Sequence, residues 1–288
     1  MDFGKLLTAM VTPFDENNQV NFSKTTVLIN HLIENGTEGL VVAGTTGESP
    51  TLSSEEKVQL FEHVVKVVDK RVPVIAGTGS NNTNASVELT KKAEEAGVDG
   101  VLLVTPYYNK PNQQGIIEHF TKIANNTNLP VMLYNIPGRT VVNMTVDTVV
   151  TLSKVTNIVS IKESSGDLDV VAQMIEKTSD DFSVYSGDDS LTLPMLSIGG
   201  NGVVSVSSHI IGIEMKEMID AYETGDVRKA ARIHRQLLPV MKGLFIAPSP
   251  SPVKTALRLK GLDVGNVRLP LVPLSEIEIE YLAGLLIK

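Results

Sequence analysis

The chain has no cysteine. Disulfides, thiolate metal sites and a cysteine nucleophile are therefore excluded, and the composition is consistent with a reducing cytoplasm. Histidines are few and scattered, with no paired spacing on one helix face, so we predict that they are structural and that there is no metal site. They are His31, His63, His119, His209 and His234.

Positive charge and long apolar runs are also lacking. The formal net charge is −8 and the pI about 5.2, so we expect no binding to a nucleic-acid backbone. No stretch approaches the roughly 18 consecutive apolar residues that a membrane span needs, so we expect no membrane segment. The apolar residues 6–11 are too short for a signal peptide and precede no cleavage site, so none is predicted.

Apolar, β-branched runs alternate with amphipathic segments along most of the chain. This alternation predicts an α/β fold with a parallel sheet and helices outside it. Eight such units favour a closed (β/α)8 barrel, a TIM barrel, over a doubly wound open sheet. The expected strands are residues 6–11, 39–43, 72–76, 100–104, 130–134, 158–162, 182–186 and 202–206.

The two parts of the chain differ in pattern. Residues 1–224 hold the eight strand–helix units and are predicted to form the catalytic barrel. Residues 225–288 contain no convincing strand, and we expect helices at 226–242, 253–259 and 275–286, with a break at Pro248-Ser-Pro-Ser-Pro252. We therefore predict a C-terminal helical appendage that packs on the barrel.

One helix start has a clear signature. Ser53-Ser-Glu-Glu56 is a capping-box pattern, in which a serine and a glutamate three residues later satisfy each other's backbone N–H groups. The residues that follow keep the spacing of one buried helix face. They are Val58, Phe61, Val65 and Val68.

A lysine stands at the end of a buried strand. Residues 158–161 are apolar or β-branched apart from one serine, and they lead to Lys162 before a Ser-Ser-Gly turn. Partial desolvation would lower its pKa from about 10.4, and a neutral lysine can form a Schiff base with a carbonyl. On this stretch alone, a lysine that extends into solvent is the preferred interpretation. The residues at the other predicted strand ends are needed to choose between a Schiff-base lysine and a solvent-exposed one.

Small polar residues collect at the other predicted strand ends. A barrel places these ends on one rim, where its active site lies. The clusters are Thr8, Gly44-Thr-Thr-Gly-Glu-Ser49, Gly77-Thr-Gly-Ser80, Thr105-Pro-Tyr-Tyr-Asn109, Tyr134-Asn-Ile-Pro-Gly-Arg139, Lys162-Glu-Ser-Ser-Gly166, Ser186-Gly-Asp-Asp189 and Ser205-Val-Ser-Ser208. Hydroxyls, one lysine and one arginine are thus expected to converge.

Several of these clusters allow two interpretations. Gly44-Thr-Thr-Gly could be only a tight turn, or its N–H groups and hydroxyls could hold a carboxylate. It is not a P-loop, and Gly77-Thr-Gly-Ser80 is not a dinucleotide fingerprint, so no cofactor is predicted. For Asp188 and Asp189 we expect a solvated helix cap instead of paired acids. Tyr107 and Tyr108 could be packing aromatics, whereas the Tyr134 hydroxyl should point into the site.

Three of these motifs together resemble one family. Gly44-Thr-Thr-Gly-Glu-Ser49, Tyr134-Asn-Ile-Pro-Gly-Arg-Thr140 and Ile161-Lys-Glu-Ser-Ser-Gly166 are similar to the dihydrodipicolinate synthase family, within the N-acetylneuraminate lyase superfamily. The similarity covers essentially the whole chain. It implies a Schiff-base lyase that condenses pyruvate with L-aspartate 4-semialdehyde to 4-hydroxy-tetrahydrodipicolinate, in the diaminopimelate route of lysine biosynthesis.

The resemblance implies catalytic roles for four residues. Lys162 matches the Schiff-base lysine, and Tyr134 and Thr45 match members of a proton relay. Tyr108 matches the third relay member, which in the family reaches in from a neighbouring subunit. Activity would then depend on assembly, and the family's usual form is a tetramer built from two tight dimers.

It also implies a substrate-binding set. Thr45 and Thr46 fit the pyruvate carboxylate site, and Arg139 matches the arginine that receives the semialdehyde carboxylate. Gly187 and Val204 match backbone positions near the lysine. Another pyruvate-forming aldolase, such as N-acetylneuraminate lyase, is the runner-up, and Arg139 argues against it. A barrel that binds a keto acid without turnover is the third possibility.

Departures from the family bear on regulation. Lysine-inhibited members bind L-lysine beside the helix that follows the Gly44 loop. Ser54 and Lys57 stand where sensitive relatives carry histidines, and Ala85 stands where the ammonium-pairing glutamate would be. An unpaired buried charge is costly, so we predict weak or absent feedback inhibition.

The rest of that site bears on the same question. Ser49, Asn81 and Tyr107 match it. Glu48 or Glu88 could supply the missing carboxylate from a shifted position. That alternative stays open at this stage.

Overall fold

Eight short parallel strands close into a barrel in the computed structural model, which describes residues 3–286. Each strand pairs with the next one in the chain, and the last pairs with the first through Thr8 and Ser205. The strands are β1 Leu6–Ala9, β2 Gly39–Val42, β3 Val74–Gly77, β4 Gly100–Val104, β5 Val131–Asn135, β6 Ile158–Glu163, β7 Ser183–Ser186 and β8 Gly202–Ser205. The predicted (β/α)8 barrel is confirmed.

Helices surround this barrel and continue beyond it. They are α1 Phe22–Glu34, α2 Ser54–Val68, α3 Thr83–Glu95, α4 Gln113–Ala124, α5 Pro137–Thr140, α6 Val146–Leu152, α7 Leu168–Lys177, α8 Thr192–Leu196, α9 Ser208–Glu223, α10 Val227–Gly243, α11 Ser251–Leu259 and α12 Glu276–Leu286. Helix α5 was not predicted, because a helix of four residues is too short to show a periodic pattern. The expected break at residues 248–252 is partly wrong, since α11 begins inside it and proline is tolerated in a first turn.

Helix α2 confirms the predicted capping box. The Ser53 side chain accepts from Glu56 N, and the Glu56 side chain accepts from Ser53 N. Its fully buried face differs from the prediction, because Leu60 and Val64 are buried and Val58 and Val65 are only half-buried. The helix packs against α1 and α3 as well as against β2 and β3, so its buried face is rotated about the helix axis from the predicted one.

Alternating strand residues feed two cores. Inside the barrel, Leu7, Ile75, Met132, Tyr185 and other strand side chains form one buried cluster. Their neighbours along the strands point outward into the larger core beneath the helices. The barrel interior is therefore filled, and the cavity above the strand ends lies outside it.

The C-terminal helices share the outer core with the barrel. Leu244, Val253, Leu257, Leu274 and Leu282 belong to the same buried cluster as the strand and helix residues before them. The division at residue 224 stays a prediction, and its outer ends, residues 1–2 and 287–288, lie outside the described part of the chain. Among residues 3–286, no helix combines the length and apolarity that crossing a membrane requires.

Candidate active site

Adjacent strands place Lys162 beside Tyr134. The two residues are register partners on β6 and β5, and Lys162 Nζ lies 4.3 Å from the centroid of the Tyr134 ring. Lys162 is only 6% exposed. Within residues 3–286 no carboxylate forms an ion pair with its amine. The sequence around Lys162, taken alone, favoured a lysine that extends into solvent. The structure shows that this interpretation is wrong.

The neighbouring acid faces the other side of the strand. Successive strand residues point to opposite faces, so Glu163 turns away from the barrel interior. Its carboxylate accepts from Asn135 Nδ2 at 2.8 Å and from Ser165 N. Burial raises the Glu163 pKa, and these hydrogen bonds oppose that shift. Lys162 thus faces the interior without an acidic partner from its own strand.

Gly187, directly after β7, lies beside the lysine, and Val204 lies on β8. A Cβ at Gly187 would stand 2.8 Å from Lys162 Cε and would overlap the Ser164 hydroxyl, so only glycine fits without movement. Gly187 N donates to Glu163 O at 2.8 Å. Val204 is buried in the interior cluster that contains Tyr134.

Asp189 ties these two strand ends together. It is 2% exposed and accepts from Ser207 N at 3.0 Å, Ser207 Oγ at 2.9 Å and the Ser205 hydroxyl. Burial raises the Asp189 pKa, and the hydrogen bonds work against that change. The predicted solvated cap is therefore wrong for Asp189, because hydroxyls of the β8 end enclose it. Asp188 does act as a cap, accepting from Ser190 N at 2.8 Å.

The Gly44-Thr-Thr-Gly-Glu-Ser49 loop forms a tight turn over the strand ends. Glu48 N donates to Thr45 O at 3.1 Å, and Thr12 Oγ1 donates to Gly47 O at 2.6 Å. A Cβ at Gly47 would stand 3.0 Å from the Ala43 backbone, so the turn requires close backbone approach. Thr45 borders the cavity described next, and Thr46 is buried.

An open cavity of about 240 Å³ lies above this floor. Thr45, Tyr134 and Arg139 line it, with apolar walls from Leu102 and Ile136. Lys162 is not part of the lining and lies next to one lining residue, Tyr134. Lys57 and Tyr107, which the sequence placed only at the candidate effector site or, for Tyr107, in packing, also line this cavity. Burial lowers the Lys57 pKa.

Arg139 stands at the mouth of the cavity. The short helix α5 carries it, and its N–H donates to Ile136 O at 3.0 Å. Its guanidinium is exposed and has no hydrogen-bond or ion-pair partner in the described part of the chain. A planar fork of free donors suits a carboxylate bound bidentately.

A model of the dihydrodipicolinate synthetase family matches residues 2–287. The chain belongs to this family. The resemblance seen in the three sequence motifs is therefore confirmed, and it spans almost the whole chain.

Individual relatives agree with the family match. The chain is 63% identical over 279 residues to the 4-hydroxy-tetrahydrodipicolinate synthase of Bacillus subtilis (strain 168), covering 96% of each chain. A crystal structure of a dihydrodipicolinate synthase from Bacillus anthracis, 62% identical, superposes with a TM-score of 0.98 over 99% of this chain and 98% of that one. A dihydrodipicolinate synthase from Cyanidioschyzon merolae, with lysine bound, is 48% identical with a TM-score of 0.97 over 99% and 97%.

One expected member of the dihydrodipicolinate synthase site lies apart from it. Tyr108 is 90% exposed, has a left-handed backbone with φ of 72°, and does not line the cavity. The single chain therefore does not bring Tyr108 to Tyr134 and Thr45. Among residues 3–286 no group of three or more His, Cys, Asp or Glu side chains is placed to hold a metal ion.

Proposed function

We propose that the protein is a 4-hydroxy-tetrahydrodipicolinate synthase that joins pyruvate to L-aspartate 4-semialdehyde in the diaminopimelate route of lysine biosynthesis. Relatives that are 60–63% identical over nearly the whole chain carry that name. The observation that carries the mechanism is the buried Lys162 amine, which has no ion-pair partner among residues 3–286 and lies against Tyr134, a residue that lines the cavity.

Lys162 supplies the nucleophile. Its neutral amine adds to the C2 carbonyl of pyruvate and gives a carbinolamine, which loses water to form the imine. Loss of a C3 proton then gives an enamine, whose carbon attacks the aldehyde of the second substrate. These steps move protons in both directions, and the hydroxyls of Tyr134 and Thr45 are the groups we assign to that work.

The two substrate carboxylates have separate places. We assign the pyruvate carboxylate to Thr45, Thr46 and the N–H groups of their turn, next to the lysine. We assign the semialdehyde carboxylate to the free guanidinium of Arg139 at the mouth. Gly187 and Val204 complete the wall around Lys162 and leave no room for a larger group there.

Tyr108 supports a homo-oligomer. The Tyr108 ring is 90% exposed on a left-handed backbone, a strained conformation that is concentrated at functional sites, and it is free to contact a second chain. We propose that a second copy of the chain takes up Tyr108 next to Tyr134 and Thr45, within a tetramer built from two dimers. The name of one relative, 41% identical, describes a monomeric dihydrodipicolinate synthase variant, so assembly differs within the family.

A complementation experiment tests this arrangement. Tyr108→Phe and Lys162→Ala chains, with different tags, are co-expressed and the hybrid is isolated. If Tyr108 serves the neighbouring chain, the hybrid contains one complete site and regains activity that neither parent has. No regain of activity would show that Tyr108 acts within its own chain or not at all.

The remaining parts of the proposal follow from composition. The absence of cysteine suits a reducing cytoplasm, where we place the protein, and the acidic pI argues against nucleic-acid partners. We propose no metal and no cofactor, because Lys162 supplies the electrophile activation that the reaction needs.

Trapping the Schiff base tests the central proposal. Borohydride reduction with pyruvate should add a lactyl-sized mass to the peptide that carries Lys162, and an adduct on another lysine, or none with active enzyme, would refute the mechanism. A coupled assay offering pyruvate with each candidate aldehyde separates the synthase from an N-acetylneuraminate lyase type of aldolase. Turnover with a sugar aldehyde but not with the semialdehyde would favour the N-acetylneuraminate lyase type of aldolase.

Feedback inhibition by L-lysine is proposed to be weak or absent. Ala85 supplies no carboxylate for the effector's ammonium, and of the two substitutes considered from sequence, Glu48 is already engaged. The Glu48 carboxylate pairs with Lys254 and accepts from the Arg268 backbone N–H, and Glu88 is exposed and does not line the cavity. Lys57 would instead place a like charge in the cavity wall.

A further inference from the structure

Glu48 lies in the loop that borders the cavity, yet it does not line the cavity. It is buried, and its backbone is left-handed with φ of 57°, which non-glycine residues adopt rarely and at a cost. Its Oε1 lies 2.7 Å from Lys254 Nζ, and its Oε2 accepts from Arg268 N at 2.8 Å. The carboxylate therefore joins the loop to the C-terminal part of the chain.

The partners of Glu48 are themselves fixed. Lys254 is 3% exposed and also donates to Asn266 O at 2.9 Å. The ring of Phe14 contacts both cations, with Lys254 Nζ at 4.1 Å and the Arg268 guanidinium carbon at 4.3 Å from its centroid. The Arg268 guanidinium forms an ion pair with Glu56 near the start of α2. Helix α11 and the Arg268 segment thus hold the Glu48 carboxylate, and α2 fixes the Arg268 segment through Glu56.

Stability alone is a poor explanation for this ion pair. Desolvation offsets most of the attraction inside a protein, and apolar residues of similar volume are often as stable. Burial lowers the Lys254 pKa to about 8 even though Glu48 opposes that shift, which shows that desolvation is substantial here. A directional charge pair does provide a fixed orientation, which apolar packing does not.

Orientation matters for the turn that precedes Glu48. Glu48 N donates to Thr45 O at 3.1 Å, so the peptide that carries the buried carboxylate also closes the Thr45–Thr46 turn. We propose that Glu48, held by Lys254 and Arg268, is a positioning residue that fixes this turn in the orientation that receives the carboxylate of the keto acid. This inference rests on the proposed function, because it assigns that carboxylate to Thr45 and Thr46.

Lys254→Met tests the inference from outside the cavity. The variant keeps an unbranched side chain one atom shorter than lysine and removes the charge, so the Glu48 carboxylate loses one of its two partners. A displacement of ~1 Å costs up to about 100-fold in well-ordered sites. We expect the KM for pyruvate to rise roughly 10- to 100-fold, with kcat at saturating pyruvate changing less.

Lys216→Met is the matched control. Lys216 forms a Lys–Glu pair of the same length, 2.7 Å, with Glu38, which caps the start of β1 at the opposite end of the barrel. Loss of this pair should leave the KM for pyruvate unchanged. A Lys254→Met KM equal to that of Lys216→Met would overturn the inference.

A double variant separates positioning from folding. Glu48→Gln/Lys254→Met removes both charges, so its thermal stability should return towards wild type while its KM for pyruvate stays raised. If the KM for pyruvate returned to the wild-type value together with the thermal stability, the Glu48–Lys254 pair would be only structural. Should Lys254→Met alone not fold, the double variant decides by the same KM. Failure of the proposed function looks different, because wild type itself would then form no pyruvate adduct on Lys162.

Discussion

Gly187→Ala should disable Lys162 by steric contact alone. The new Cβ would stand 2.8 Å from Lys162 Cε, whereas carbon atoms pack best at about 3.5–4.0 Å. The lysine must therefore retreat by about 0.7 Å or more. Because a misplacement of ~1 Å can cost about 100-fold, we expect pyruvate adduct formation to slow roughly 10- to 100-fold.

Single-turnover trapping measures this effect directly. Enzyme and pyruvate are mixed, quenched with borohydride at set times, and the mass of the Lys162 peptide is followed. Gly138→Ala is the control, since a Cβ there has nothing within 4 Å. Gly187→Ala/Ser164→Ala removes the overlapped hydroxyl but keeps the contact with Lys162, so the loss should persist. Trapping at the wild-type rate in folded Gly187→Ala would refute this steric reasoning.

Two further predictions concern the mouth of the cavity. Arg139→Ala should leave the pyruvate adduct nearly intact and lower turnover with the semialdehyde at least ~30-fold, because losing a desolvated charge pair typically costs about 2–5 kcal/mol. Unchanged aldehyde kinetics would remove Arg139 from the site. L-Lysine at saturating pyruvate should inhibit weakly or not at all, since Ala85 offers the effector's ammonium no carboxylate, and half-inhibition below the millimolar range would contradict that prediction.

The sequence was sufficient for the barrel and for the centre of the candidate site. Alternating strand and helix patterns predicted all eight strands, with ends off by no more than two residues. Lys162 and Tyr134 could be placed side by side because both end neighbouring parallel strands. Local signals are strong here, since strand ends in a barrel share one rim by topology.

Other features left no local signal. The burial of Asp189 depends on hydroxyls from the next strand, and helix α5 is too short to show a period. The Glu48–Lys254 pair joins residues that only the folded chain brings together. The role proposed for Tyr108 rests only on the family resemblance, because in the single chain its ring is exposed and does not line the cavity.

The contacts of Glu48 with Lys254 and Arg268 also imply an order of assembly during synthesis. Arg268 N and the Glu48 carboxylate are separated by 220 residues. During synthesis, Lys162, Tyr134 and the Thr45–Thr46 turn therefore leave the ribosome well before the Arg268 segment that fixes the turn. Domains tend to fold from the N-terminus during synthesis. We expect a nascent barrel to carry its nucleophile without a fixed carboxylate receptor, and therefore to bind keto acids weakly until α11 and the Arg268 segment have docked.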